Sequence, residues 1–115
     1  MKTSHLLSLG IIFITAQGKA ASVTQDLAEG AKVYKTSCLI CHGENYDGKG
    51  DAGKFLKPLP RNLVTEAFKN GDSLDQIITT LKTGLAGTAM QGFASTLSED
   101  QIKNVAAFTK SLRRK

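Results

Sequence analysis

Cys38-Leu39-Ile40-Cys41-His42 is the one place in this 115-residue chain where reactive side chains crowd together. Two thiols and an imidazole fall at i, i+3 and i+4, spacings that share one face of a helix. The segment leading into them, 25–37, reads as a helix because Leu27, Ala31, Tyr34 and Cys38 recur at helical intervals. Cys38 therefore closes that helix, and Cys41 and His42 point to the same side. Beyond His42 the character changes. Residues 43–53 carry Gly43, Gly48, Gly50 and Gly53 with Asn45 and Asp47, a loop composition. Pro58 and Pro60 bar regular helix over 57–61. Thr65–Asn70 has room for one helical turn, closed by Gly71.

Two more helices follow. Ser73 can cap the backbone while Gln76, three residues on, reaches back in a capping box. Leu74, Ile77, Ile78 and Leu81 form its apolar stripe, and Gly84 is a natural stop. Residues 84–92 make another loop, with Met90 near its end. Ser98 and Gln101 repeat the capping box, and Leu97 and Ile102 can form a hydrophobic staple across it. Ile102, Val105, Phe108 and Leu112 continue the apolar face. Nothing repeats and no stretch reads as a strand. The expected fold is all-α, three main helices plus loops.

With 22% charged and 41% hydrophobic residues, the chain is neither a disordered polyelectrolyte nor a membrane bundle. Its length allows a single domain. Lys2, the largely apolar run Leu6–Ala16 and the small residues around Gly18–Ala20 follow the layout of a secretory signal peptide. The run falls short of the roughly 20 apolar residues of a spanning helix. The expected organisation is a signal peptide over 1–20, cut between 18 and 22, and one domain over 21–115. That domain is expected in the periplasm, without stable membrane insertion. An uncleaved tethering helix is the other reading of the same segment. Cleavage after Ala20 removes Lys2 and Lys19 and no acidic residue, so the formal charge falls from +5 to +3. His5 and Met1 go too, leaving His42 and Met90 as the only residues of their kinds.

So small a domain buries a modest core and gains from a crosslink, a metal or a cofactor. Cys-x-x-Cys-His is the pattern of covalent haem attachment. Cys38 and Cys41 can add to the two vinyl groups of one porphyrin while the imidazole of His42 reaches the iron. Three other readings compete. A redox Cys-x-x-Cys wants a low-pKa thiol opening a helix after a strand, whereas this pair closes a helix. Structural zinc wants four ligands, and the processed chain offers only Cys38, Cys41 and His42 of the usual soft or imidazole type. A disulfide between residues three apart would constrain almost nothing.

At this point the chain resembles the small class I monohaem cytochromes c of bacteria, over roughly 26–112. The resemblance is carried by Gly30-Ala31-Lys32-Val33-Tyr34 ahead of the Cys-x-x-Cys-His, by Asp47-Gly48-Lys49-Gly50 and by Pro60-Arg61-Asn62-Leu63. Lys82-Thr83-Gly84-Leu85-Ala86-Gly87-Thr88-Ala89-Met90 and Val105-Ala106-Ala107-Phe108 complete it. It implies the compact class I cytochrome c fold wrapped around one haem c, attached through Cys38 and Cys41, with His42 and Met90 as the axial iron ligands. Met90 fits from its own surroundings as well, in a glycine-bearing loop able to approach a flat cofactor. The plainer reading is a methionine filling a core gap. The chain departs from its relatives at Gln91, where proline is frequent. Arg61 resembles the position whose guanidinium hydrogen-bonds a haem propionate; an ordinary surface arginine is the alternative. Gly30 and Tyr34 look like the crossing of the first helix with the last, against Phe108. Tyr46 reads as an exposed loop residue.

Ligation by both His42 and Met90 leaves no open coordination position, and one-electron transfer remains as the available chemistry. The expected function is a monomeric periplasmic electron carrier, shuttling between redox partner proteins through small, short-lived interfaces. No nucleophile–base pair or substrate motif suggests an enzyme, and nucleic acid is not an expected partner. Two alternatives stand beside it: a haem subunit held permanently by a periplasmic dehydrogenase, and an open-site gas sensor or peroxidase if Met90 is not a ligand. Lys49, Lys54 and Lys57 ahead of Arg61, and Arg113, Arg114 and Lys115 at the end, read as solvated faces or as a basic rim steering an acidic partner.

Overall fold

Helices account for the regular structure. The computed structural model describes residues 3–5, 8–14 and 25–114. The expected cleavage region, 18–22, lies outside the described residues. Residues 3–5 and 8–14 have no regular secondary structure and are exposed. Four α-helices follow in order: α1 (Leu27–Ser37), α2 (Leu39–His42), α3 (Leu74–Thr83) and α4 (Glu99–Ser111), with a single 3-10 turn at Gly53–Phe55. No strand occurs among the described residues, so the fold is all-α as expected.

Local chemistry sets the boundaries. α1 starts later than the periodicity suggests because the Asp26 carboxylate caps it, accepting from the Ala28 and Glu29 amides at 2.9 and 3.1 Å. Both expected capping boxes form, Ser73 with Gln76 and Ser98 with Gln101. The anticipated helical turn at Thr65–Asn70 does not. Asn62 Oδ1 takes the Val64 and Thr65 amides at 2.9 and 3.0 Å, and Asp72 Oδ1 takes the Phe68 amide at 2.8 Å. Side-chain acceptors thereby displace the bonds a helix would need.

α1 packs most extensively on α4, and α3 packs on α4 from another side. The first crossing is tight. A Cβ on Gly30 would overlap the Asn104 carbonyl and lie 2.8 Å from Phe108 Cβ. That approach turns Gly30, Val33 and Tyr34 inward, while Leu27, expected on the buried face, is half exposed. Val33 and Tyr34 join Leu63, Ile77, Leu81, Ile102, Val105 and Ala106 in the core. Lys82 and Glu99 pair at 2.8 Å between α3 and α4.

Tyr46 corrects the sequence reading. Its φ of 59° turns the chain, and the ring tucks against Tyr34 and Phe108 with centroids 5.0 and 5.9 Å apart. The Tyr34 and Phe108 rings are themselves 5.7 Å apart, so three aromatics brace the α1–α4 crossing. Edge and tilted contacts of this kind are favourable beyond simple burial.

Candidate functional site

The helix leading into the Cys-x-x-Cys-His does not run straight through it. α1 ends at Ser37, and Cys38, with φ −120° and ψ −29°, leaves helical geometry. Its carbonyl then starts a new turn, accepting from the Cys41 amide at 3.2 Å and the His42 amide at 2.9 Å. Cys38, Cys41 and His42 line one cleft. The common face predicted for them survives the break because the turn restarts at Cys38 itself.

The loop after His42 is held in place. The Tyr34 hydroxyl donates to the Gly43 carbonyl at 2.6 Å in a buried position, and burial raises its pKa above the usual 10.0. Gly48 and Gly50 amides return to the His42 and Cys41 carbonyls at 2.9 and 3.1 Å. Sequence reasoning placed Tyr34 at the helix crossing but missed this second role; nothing in the spacing announces it.

Met90 enters the same cleft from a separate loop. Gly84, at φ 76°, ends α3, and a Cβ there would sit 2.6 Å from the Met90 carbonyl oxygen. Only glycine lets the loop fold back this closely. The Leu85 amide donates to that same carbonyl at 3.0 Å, and the Thr88 hydroxyl accepts from the Met90 amide at 3.1 Å. Met90 is partly buried against the core, so the gap-filling reading accounts for some of its contacts.

A third wall comes from residues 56–71. Arg61 lies there, its Nη1 donating to the Ala67 carbonyl at 2.8 Å and pairing with Glu66 at 3.5 Å. The guanidinium has further donors to offer. Glu66, Phe68 and Lys69 also line the cleft, none of them singled out from sequence. Lys49, Lys54 and Lys57 are exposed, Lys54 lying over the Phe55 ring.

The cleft volume is ≈ 580 Å³, within the ~300–1,000 Å³ range of small-molecule and cofactor pockets. Its chemistry suits a haem. Both thiols are free. Burial, aided by the neighbouring Cys41, pushes the Cys38 thiol up to about 11, the opposite of the activated thiol a redox pair requires. Among the described residues no three His, Cys, Asp or Glu side chains are arranged to hold a metal ion by themselves. Burial lowers the His42 pKa below 6.5 against the opposing influence of the Arg61 backbone. Burial thus disfavours the imidazolium and favours the neutral ring, the form that coordinates a metal. Its Nδ1 is buried and makes no hydrogen bond of good geometry among the described residues.

Known proteins agree with this geometry. Residues 25–108 match the family described as cytochrome c oxidase, cbb3-type, subunit III. A cytochrome c6 of Synechococcus sp. is 32% identical over 103 residues, covering 90% of this chain and 85% of that protein. The cbb3-type oxidase subunit FixP of a Bradyrhizobium species is 26% identical over 97% of this chain, which spans only 36% of it. Among solved structures, a chain of the Kuenenia stuttgartiensis reducing HAO-like protein complex superposes with a TM-score of 0.64 at 27% identity. That match covers 74% of this chain and 41% of the other.

Proposed function

The chain belongs to the small class I monohaem c-type cytochromes, and on that premise we propose that it is a periplasmic one-electron carrier with His42 and Met90 as axial ligands. A haem c is attached covalently through the thiols of Cys38 and Cys41, the spacing that the turn restarting at Cys38 presents to one cleft. Once attached, the haem supplies reversible one-electron exchange at its iron. This chain's residues do the rest. His42 offers a partly buried imidazole whose neutral form burial favours, and Met90 offers a thioether from a tied loop. The apolar lining from Leu81, Ile77 and Phe68 limits water, which together with a thioether ligand favours the less charged ferrous state. Arg61, whose guanidinium keeps further donors beyond those engaged with Ala67 and Glu66, would hydrogen-bond a haem propionate.

The observation that carries this reading is the presence in one cleft of His42, at the end of α2, and Met90, from a distant loop. With both as ligands no coordination position stays open, so the protein moves electrons and performs no catalysis of its own. The apolar run Leu6–Ala16 directs export and is removed, which N-terminal sequencing of the periplasmic protein checks. The central test is the ferrous visible spectrum with and without carbon monoxide. Wild type is expected to give a haem c spectrum that the gas does not move, and Met90→Ala one that it shifts. A wild-type spectrum that shifts on adding the gas would turn the reading to an open-site sensor or peroxidase.

A second reading has an observation of its own. The chain spans only 36% of FixP and 41% of the HAO-like complex chain, so equivalent domains occur as parts of larger proteins. A haem subunit held in a permanent complex would co-sediment with its partner from native periplasm. The shuttle sediments alone.

A further inference from the structure

The carboxy-terminal arginines read from sequence as a solvated face or a basic steering rim, and Arg113 is neither. Arg113, just beyond the end of α4, has a side chain only 19% exposed. Its Nη2 donates to Asp72 Oδ2 at 3.3 Å, and its guanidinium carbon sits 4.9 Å from the centroid of the Phe68 ring. Its Nη1 is buried and has no partner among the described residues. Two neighbouring bonds reinforce the junction: the Lys110 ammonium donates to the Asp72 carbonyl at 2.9 Å, and the Arg114 amide donates to the Val64 carbonyl at 3.1 Å. The end of α4 is thus strapped to the segment 62–72, and Phe68, the residue under the guanidinium, lines the cleft.

We propose that Arg113 is a positioning residue for the haem, pressing Phe68 into the cleft wall and thereby raising the reduction potential; this rests on the haem occupying that cleft. Arg113 does not itself line the cleft, so it acts through the ring it stacks on. Guanidinium stacking on an aromatic face is directional and planar, which lysine does not reproduce. The strap fixes Phe68 from behind, and an apolar wall held shut limits the water that would otherwise favour the ferric state.

Spectroelectrochemical titration of the exported haem protein tests this, beside thermal melts. Arg113→Leu is expected to lower the reduced-to-oxidised ratio at fixed ambient potential about threefold, ~28 mV on the scale where tenfold is 59 mV for one electron. Arg113→Lys should shift it in the same direction, and Arg113→Leu should add nothing in a Phe68→Leu background. The proposal is overturned by an Arg113→Leu protein that melts lower at unchanged potential, since the strap would then be only structural. A lysine variant indistinguishable from wild type would overturn it in favour of charge alone, and an undiminished shift in the Phe68→Leu background would remove Phe68 from the account. Should Arg113→Leu fail to accumulate, Arg113→Lys decides. A wild-type protein without a haem c spectrum would instead refute the haem reading itself, a separate outcome.

Discussion

Gly30→Ala sets two physical effects against each other with opposite signs. Gly30 lies inside α1, an ordinary right-handed helix, where alanine is favoured over glycine by about 1 kcal/mol. Propensity alone therefore predicts a more stable protein. The tertiary structure predicts the reverse. A Cβ at this position would overlap the Asn104 carbonyl oxygen and stand 2.7 Å from its carbon and 2.8 Å from Phe108 Cβ. Carbon atoms rest at about 3.5–4.0 Å, so relieving the carbon contacts alone would part α1 and α4 by at least about 0.8 Å, and the closer oxygen asks for more. Two of the three obstructing atoms are backbone, which cannot rotate away, so the cost falls near the top of the usual overpacking range, about 3 kcal/mol. Offsetting the propensity gain leaves a net loss of about 2 kcal/mol. For a domain of this size that is a fall in Tm of roughly 8–16 °C. Thermal melts followed by far-UV circular dichroism measure it. Comparing Lys35→Gly with Lys35→Ala, at an exposed site of the same helix, calibrates the propensity term. A Gly30→Ala protein that melts at or above wild type would refute the close crossing.

Tyr34→Phe removes a buried 2.6 Å hydrogen bond to the Gly43 carbonyl and should cost about 1–3 kcal/mol in chemical denaturation. No change would mean that the loop after His42 is held without it. Replacing Cys38 and Cys41 together by Ser leaves a cleft of ≈ 580 Å³ with nothing attached. So small a domain has little other core to rely on once the group filling that cleft is lost. The double variant is expected to lose most of its helical circular dichroism, and wild-type helicity would show that the core stands without the haem. Met90→Ala is expected to admit carbon monoxide to the ferrous protein while Thr88→Ala, which only loosens the loop that presents Met90, should do so partially.

Much of the site was legible because its chemistry is local. Cys38, Cys41 and His42 announce themselves through spacing that one helical turn converts into a shared face, and Met90 through scarcity in a glycine-bearing loop. The capping boxes at Ser73 and Ser98 were equally readable, since each bond spans three residues. What escaped depends on residues far apart in the chain. Tyr46 looked like an exposed loop residue until Tyr34 and Phe108 were brought around it. Arg113 looked like part of a basic tail until α4 delivered it to Asp72 and Phe68, 41 positions away from its ion-pair partner. Arg61 stands between these cases: its place at the cleft was foreseen, its engagement with Glu66 and Ala67 was not.

The amino-acid sequence alone determined that this chain is helical and that its reactive residues form a haem-attachment motif, because helix periodicity, caps and ligand spacing are interactions within a few residues. Only the tertiary structure decided which face of α1 is buried, which wall each loop contributes to the cleft and what the last arginines do. Those outcomes follow from close packing between distant segments: Gly30 lets α1 and α4 meet, and their meeting places the aromatic brace, the cleft and the strap at its edge.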